Sequence, residues 1–114
     1  MTIEQAVEMC KTGFADAYLD QPFGPDWWVM RHGEGGKVYA LIFERQAQVW
    51  LDLKAEPADV VVLSQAFKGI FPGYHMNKRH WLTVVLDGSV PQDLTARLIE
   101  QSYALTLPKA KKSS

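Results

Sequence analysis

Apolar residues recur at spacings of three and four near both ends of the chain and alternate with polar ones between them. The pattern predicts helices around a group of strands. Ile3, Ala6, Val7 and Cys10 share one helical face. Thr2 can cap that helix with Gln5 as its capping-box partner, and Gly13 is placed to stop it. Turn chemistry at 22–26 puts the start of a first strand near Trp27, and a glycine-rich turn at 33–36 leads into the apolar run 37–43. Residues 47–54 then alternate cleanly. Ala47, Val49, Leu51 and Leu53 point to one side; Gln48, Trp50, Asp52 and Lys54 point to the other, expected to be the uncovered face.

Pro57 suits the first turn of a second helix that runs to about Phe67. A strand follows over 80–86, and Ser89 and Pro91 open a last helix, with Ser89 read as its cap. The apolar stripe of that helix is Leu94, Leu98, Ile99 and Tyr103. The expected order is helix, three strands, helix, one or two strands, helix. Strands clustered this way argue for an α+β domain, with an antiparallel sheet covered by helices on one face. One domain over residues 1–108 and a disordered basic tail over 109–114 complete the expectation.

Composition narrows the function classes. One cysteine among 114 residues excludes an internal disulfide, and no apolar run approaches the ~20 residues that span a bilayer. A cytoplasmic, monomeric protein without a membrane role is expected. The net charge is −1, but it is unevenly placed: residues 1–59 carry 5 Lys/Arg against 10 Asp/Glu, and residues 60–114 carry 7 against 3. No acidic residue occurs between Asp59 and Asp87, which leaves Lys68, Lys78 and Arg79 uncompensated locally.

The chemistry concentrates in Pro72–Trp81. His75 and His80 lack the spacing of helix-based metal pairs, and Cys10, His32, Glu44 and Asp87 could join them only through the fold; no metal or cofactor is expected. No serine sits in a nucleophile elbow, and the residues do not read as an enzyme. They suit nucleic-acid binding better. Lys37, Lys54, Lys78 and Arg79 can meet phosphates, and Asn77, His75 and His80 supply hydrogen bonds, Asn77 as a bidentate amide to a base edge. Tyr74 and Trp81 stack or shape the surface. The alternative is a protein-binding or chaperone-like module that uses the exposed sheet face.

The same segment, Pro72-Gly73-Tyr74-His75-Met76-Asn77-Lys78-Arg79-His80-Trp81, followed by Thr83-Val84 and Leu86-Asp87-Gly88-Ser89-Val90-Pro91, resembles the signature of the MmcQ/YjbR family. Pro22-Phe23-Gly24, Lys37, Leu53-Lys54 and Ser102-Tyr103 match it in order, so the resemblance covers about residues 3–107. It implies a two-layer α-β(3)-α-β(2)-α domain, grouped with CyaY-like and secretion-chaperone-like folds. It also implies an extra strand near 70–74 and a "double-wing" domain predicted to bind DNA. The acidic helix of frataxins is absent, since the first helix holds only Glu4 and Glu8, and no metal site follows from the grouping. Asp52 beside Lys54 departs from the family pattern and is expected to dilute a positive surface.

Overall fold

The computed structural model describes residues 1–108. Helix α1 (Ile3–Lys11) opens on the expected capping box: Thr2 Oγ1 accepts from the Gln5 N–H, and Gln5 Oε1 accepts from the Thr2 N–H. Strands β1 (Ala17–Asp20), β2 (Trp28–His32), β3 (Val38–Arg45) and β4 (Gln48–Lys54) follow. Helix α2 (Pro57–Ala66), strands β5 (Ile70–Pro72) and β6 (Trp81–Val85) and helix α3 (Gln92–Leu105) complete the chain. The α+β class is as expected, and β5 pairs with β6 as the family resemblance implied. The first group holds four strands rather than three. The additional one, β1, is a four-residue edge strand paired only with β2, too short to carry a periodic signal.

All pairs are antiparallel, in the order β1-β2-β3-β4-β6-β5. Because strand side chains alternate, the register divides the sheet into two apolar faces. Met30, Ala40, Ile42, Leu51, Leu53, Leu82 and Val84 pack against the helices, with Ala6 and Cys10 from α1, Val60 from α2, and Leu98 and Ile99 from α3. Ser102 of α3 joins this layer to the sheet through hydrogen bonds. Its hydroxyl donates to the Tyr39 carbonyl at 2.6 Å and accepts from the Lys54 N–H at 2.8 Å, where the β3–β4 ladder ends.

The opposite face is not open, as the alternation of 47–54 had suggested. Val29, Leu41, Phe43, Trp50 and Val85 form a second buried cluster, roofed by Trp27, Val38, Tyr74 and Met76. Trp50 is 9% exposed and Asp52 fully buried. With both faces covered, β3 reads as an almost unbroken apolar run rather than an alternating one. Ser89 is a further correction: its hydroxyl bonds the Asp87 carboxylate at 2.6 Å, and α3 begins after Pro91 without a side-chain cap. The basic tail lies outside the described residues.

Candidate binding site at the 73–80 loop

The loop between β5 and β6 folds back over the sheet, and each end is fastened by a specific contact. The Gly73 N–H donates to the Trp81 carbonyl at 2.8 Å, and the Tyr74 N–H donates to Thr83 Oγ1 at 2.7 Å. A Cβ on residue 73 would meet Trp81 Cβ at 2.8 Å, so only glycine allows this approach. At the far side Asn77 closes an Asx turn, its Oδ1 accepting from the Arg79 N–H at 2.8 Å and the His80 N–H at 3.2 Å. Lys78 Nζ returns to the Gly73 carbonyl at 2.8 Å.

This bonding sorts the loop into inner and outer residues. Tyr74 is half-buried; its ring lies 6.0 Å from Phe43 and 5.6 Å from Trp50, with the Arg45 guanidinium 4.7 Å above it. His75 takes a left-handed backbone (φ 68°) that turns its ring edge toward Trp27 and Phe43, yet the residue stays exposed. Asn77, Lys78, Arg79 and His80 are also exposed. Trp81 is half-buried, with Lys54 Nζ 5.6 Å from its ring, and the two residues are register partners on β6 and β4. Lys37 is exposed in the β2–β3 turn, at the end of the sheet where Lys54 and Trp81 lie. Lys78 and Arg79 also edge a shallow cleft with Pro57, Ala58, Val60 and Val61 of α2.

Beneath the loop sits the group that sequence reasoning misplaced. Asp52 was expected on the surface; its Oδ1 instead accepts from the Thr83 hydroxyl at 2.5 Å, and Oδ2 has no partner among the described residues. Burial pushes its carboxyl up from 3.8 to about 7, against the opposing pull of the Thr83 hydroxyl and the Lys78 ammonium. Asp52 thus lies under the loop, and not on the surface beside Lys54.

The chain matches the YjbR family model over residues 12–105, which takes in this loop, its strands and Asp52. The chain belongs to the YjbR family. It is 30% identical over 103 residues to the protein YjbR of Escherichia coli strain K12, covering 90% of this chain and 85% of that protein. It is 35% identical over 86 residues to YbdF of Escherichia coli O157:H7, covering 75% and 69%. The crystal structure of the Deinococcus radiodurans protein DR2400, with family-model domain DUF419, superposes with a TM-score of 0.86 at 34% identity, covering 98% of this chain and 83% of that one.

At the other end of this YjbR domain, a second polar group that sequence reasoning missed ties α3 to β2. His32 Nδ1 lies 3.4 Å from Asp16 Oδ2 and Nε2 lies 2.8 Å from Thr106 Oγ1, while the Tyr103 hydroxyl donates to Asp16 Oδ1. Carboxylate, imidazole and hydroxyl are thus in line. The His32 side chain is only 3% exposed, and the Thr106 hydroxyl lies 2.8 Å from the Ser102 carbonyl, so the arrangement closes the helix end rather than facing a ligand. The Tyr103 hydroxyl holds the Asp16 carboxyl below its usual range. The bonded pairs His32–Asp16, His32–Thr106 and Tyr103–Asp16 lie 16, 74 and 87 positions apart in sequence, and no local motif announces them. Among the described residues no three histidine, cysteine or acidic side chains gather as a metal site.

Proposed function

We propose that this YjbR-family domain is a binding module whose contact surface is the 73–80 loop with the adjoining strand ends, and that its ligand is a nucleic acid met through its phosphates. One observation carries the reading: the loop turns its apolar Tyr74 onto the sheet and keeps His75, Asn77, Lys78, Arg79 and His80 outward on a fastened backbone. A surface held in place before binding loses little entropy when it meets a ligand. Lys54 and Lys37 extend the cationic groups along the same sheet end.

The geometry alters the division of labour among these residues. The Asn77 carbonyl oxygen is engaged by two backbone N–H groups, so the side chain keeps donors but no free acceptor for a bidentate pair with adenine. Tyr74 lies under Arg45 and Trp81 beside Lys54, which leaves His75 and His80 as the loop's exposed rings. Contacts of this kind favour sequence-tolerant binding.

Fluorescence anisotropy of labelled duplex and single-stranded oligonucleotides across a salt series tests the proposal. Each phosphate contact on duplex DNA adds about −0.9 to the slope of log affinity against log salt. Lys78→Ala/Arg79→Ala should therefore flatten the slope by about 1.8 while leaving the fold intact. No binding at low salt, or a double variant that behaves as wild type, would refute it. A protein partner is the second reading. The sheet face once expected to serve it is covered, but Val61 and Val62 of α2 are exposed beside the cleft edged by Lys78 and Arg79.

A further inference from the structure

Three buried side-chain atoms without partners among the described residues are Arg45 Nε, Trp50 Nε1 and Asp52 Oδ2, and Asp52 is the one that can change charge. Its surroundings are well defined. β3 presents Leu41 beside it, β6 presents Thr83, and the loop brings Tyr74 through its N–H and Lys78 through its charge. Lys54, two residues along β4, is turned to Trp81. The Tyr74 N–H, the Thr83 hydroxyl and Asp52 Oδ1 form one hydrogen-bonded chain from loop to carboxyl, at 2.7 and 2.5 Å.

We propose that Asp52 is a proton-operated latch for the 73–80 loop: when it ionises, its unpaired Oδ2 draws the Lys78 ammonium from the Gly73 carbonyl inward, and when it is neutral it leaves Lys78 at the surface. The two states differ by one proton, which leaves Oδ2 for solvent, and by the Lys78 ammonium, which gives up its hydrogen bond to the Gly73 carbonyl for one to Oδ2; no covalent bond but the carboxyl O–H is broken. A buried carboxylate oxygen without a hydrogen bond is costly, and an ammonium on the overlying loop is the countercharge that offsets it. Burial places the transition near neutrality, at about 7. The consequence for ligand binding rests on the nucleic-acid reading above: ionised Asp52 takes Lys78 out of the set that meets phosphates. Affinity then falls as pH rises, by about 8-fold at 0.1 M salt for the loss of one contact.

The experiment has two arms. In the ligand-free protein, the Asp52 carboxyl carbon, the Tyr74 amide and the Lys78 side chain are followed by NMR from pH 5 to 9. A shared midpoint near 7 is expected. The Tyr74 and Lys78 shifts should vanish in Asp52→Asn, and the Asp52 midpoint should move higher in Lys78→Met, which removes the attraction that lowers it. An Asp52 midpoint in the ordinary carboxylate range overturns the latch. So do Tyr74 and Lys78 signals that ignore it, or that move alike in Asp52→Asn. In the second arm, oligonucleotide anisotropy is measured at pH 6 and pH 8 in a His75→Gln/His80→Gln background, which removes the loop imidazoles. An affinity loss at pH 8 that Asp52→Asn abolishes supports the coupling; an equal loss in Asp52→Asn overturns it. A shared midpoint without oligonucleotide binding upholds the latch and refutes the nucleic-acid reading alone.

Discussion

Replacing Ser102 with alanine removes one oxygen atom and should cost this fold more than most core truncations of that size. The hydroxyl is fully buried and serves two strands at once, donating to the Tyr39 carbonyl of β3 and accepting from the Lys54 N–H of β4. Without it, both peptide groups lose that partner at the point where the ladder between the strands has ended. A buried polar group left unpaired costs about 1–3 kcal/mol, so two give about 2–6 kcal/mol, and the methyl group of alanine offers nothing in return. For a domain of this size, each kcal/mol lowers Tm by about 4–6 °C, which places the expected fall at about 8–36 °C. The assay is thermal and urea unfolding by circular dichroism, with Ser64→Ala as the control, since Ser64 bonds only the carbonyl of Val61 three residues earlier. A loss below about 0.5 kcal/mol, level with that control, would show that the strands re-pair without α3, and the argument would fail.

Other expectations concern the loop and the carboxylate under it. The Asp52 carboxyl is raised in the folded protein, so the native state holds a proton that the unfolded chain gives up. Stability should fall as pH rises between about 4 and 7 and level off above. Comparing wild type with Asp52→Asn in urea melts at pH 4 and pH 8 should show the variant gaining on wild type by about 4 kcal/mol over that interval; parallel pH profiles would contradict the raised carboxyl. Gly73→Ala would bring its Cβ to 2.8 Å from Trp81 Cβ and 3.1 Å from the Trp81 carbonyl oxygen. The loop base would have to shift, at about 1–3 kcal/mol, visible as a lower urea midpoint with altered tryptophan emission. An unchanged midpoint would mean that the loop base yields freely. Tyr103→Phe should let the Asp16 carboxyl rise back toward 3.8, a shift read by NMR titration, because the donor holding it down is gone.

Much of the chain's architecture is written in local pattern. The capping box at Thr2 and Gln5, the apolar stripes of α1 and α3, Pro57 at the start of α2 and the glycine-rich β2–β3 turn are short-range signals, and each element stands where those signals placed it. The loop motif located the candidate site for the same reason, since its residues are consecutive. What pattern could not supply was the partner of each face. The alternation of Trp50, Asp52 and Lys54 correctly put them on one side of β4, yet it is the return of the 73–80 loop, together with Trp27 and Val38, that makes that side an interior. A strand of alternating residues looks the same whether water or a loop covers its polar side.

The sequence alone therefore determined the class of fold, the order of most elements, the family and the stretch of chain on which to look. Tertiary structure decided which of those loop residues face outward, added the edge strand β1, and brought Asp16, His32, Tyr103 and Thr106 together from distant positions. It also placed Asp52 in the interior. The physical reason is that helical and strand propensity act over a few residues, whereas burial, and with it the charge state of a carboxyl, depends on whatever the rest of the chain lays on top.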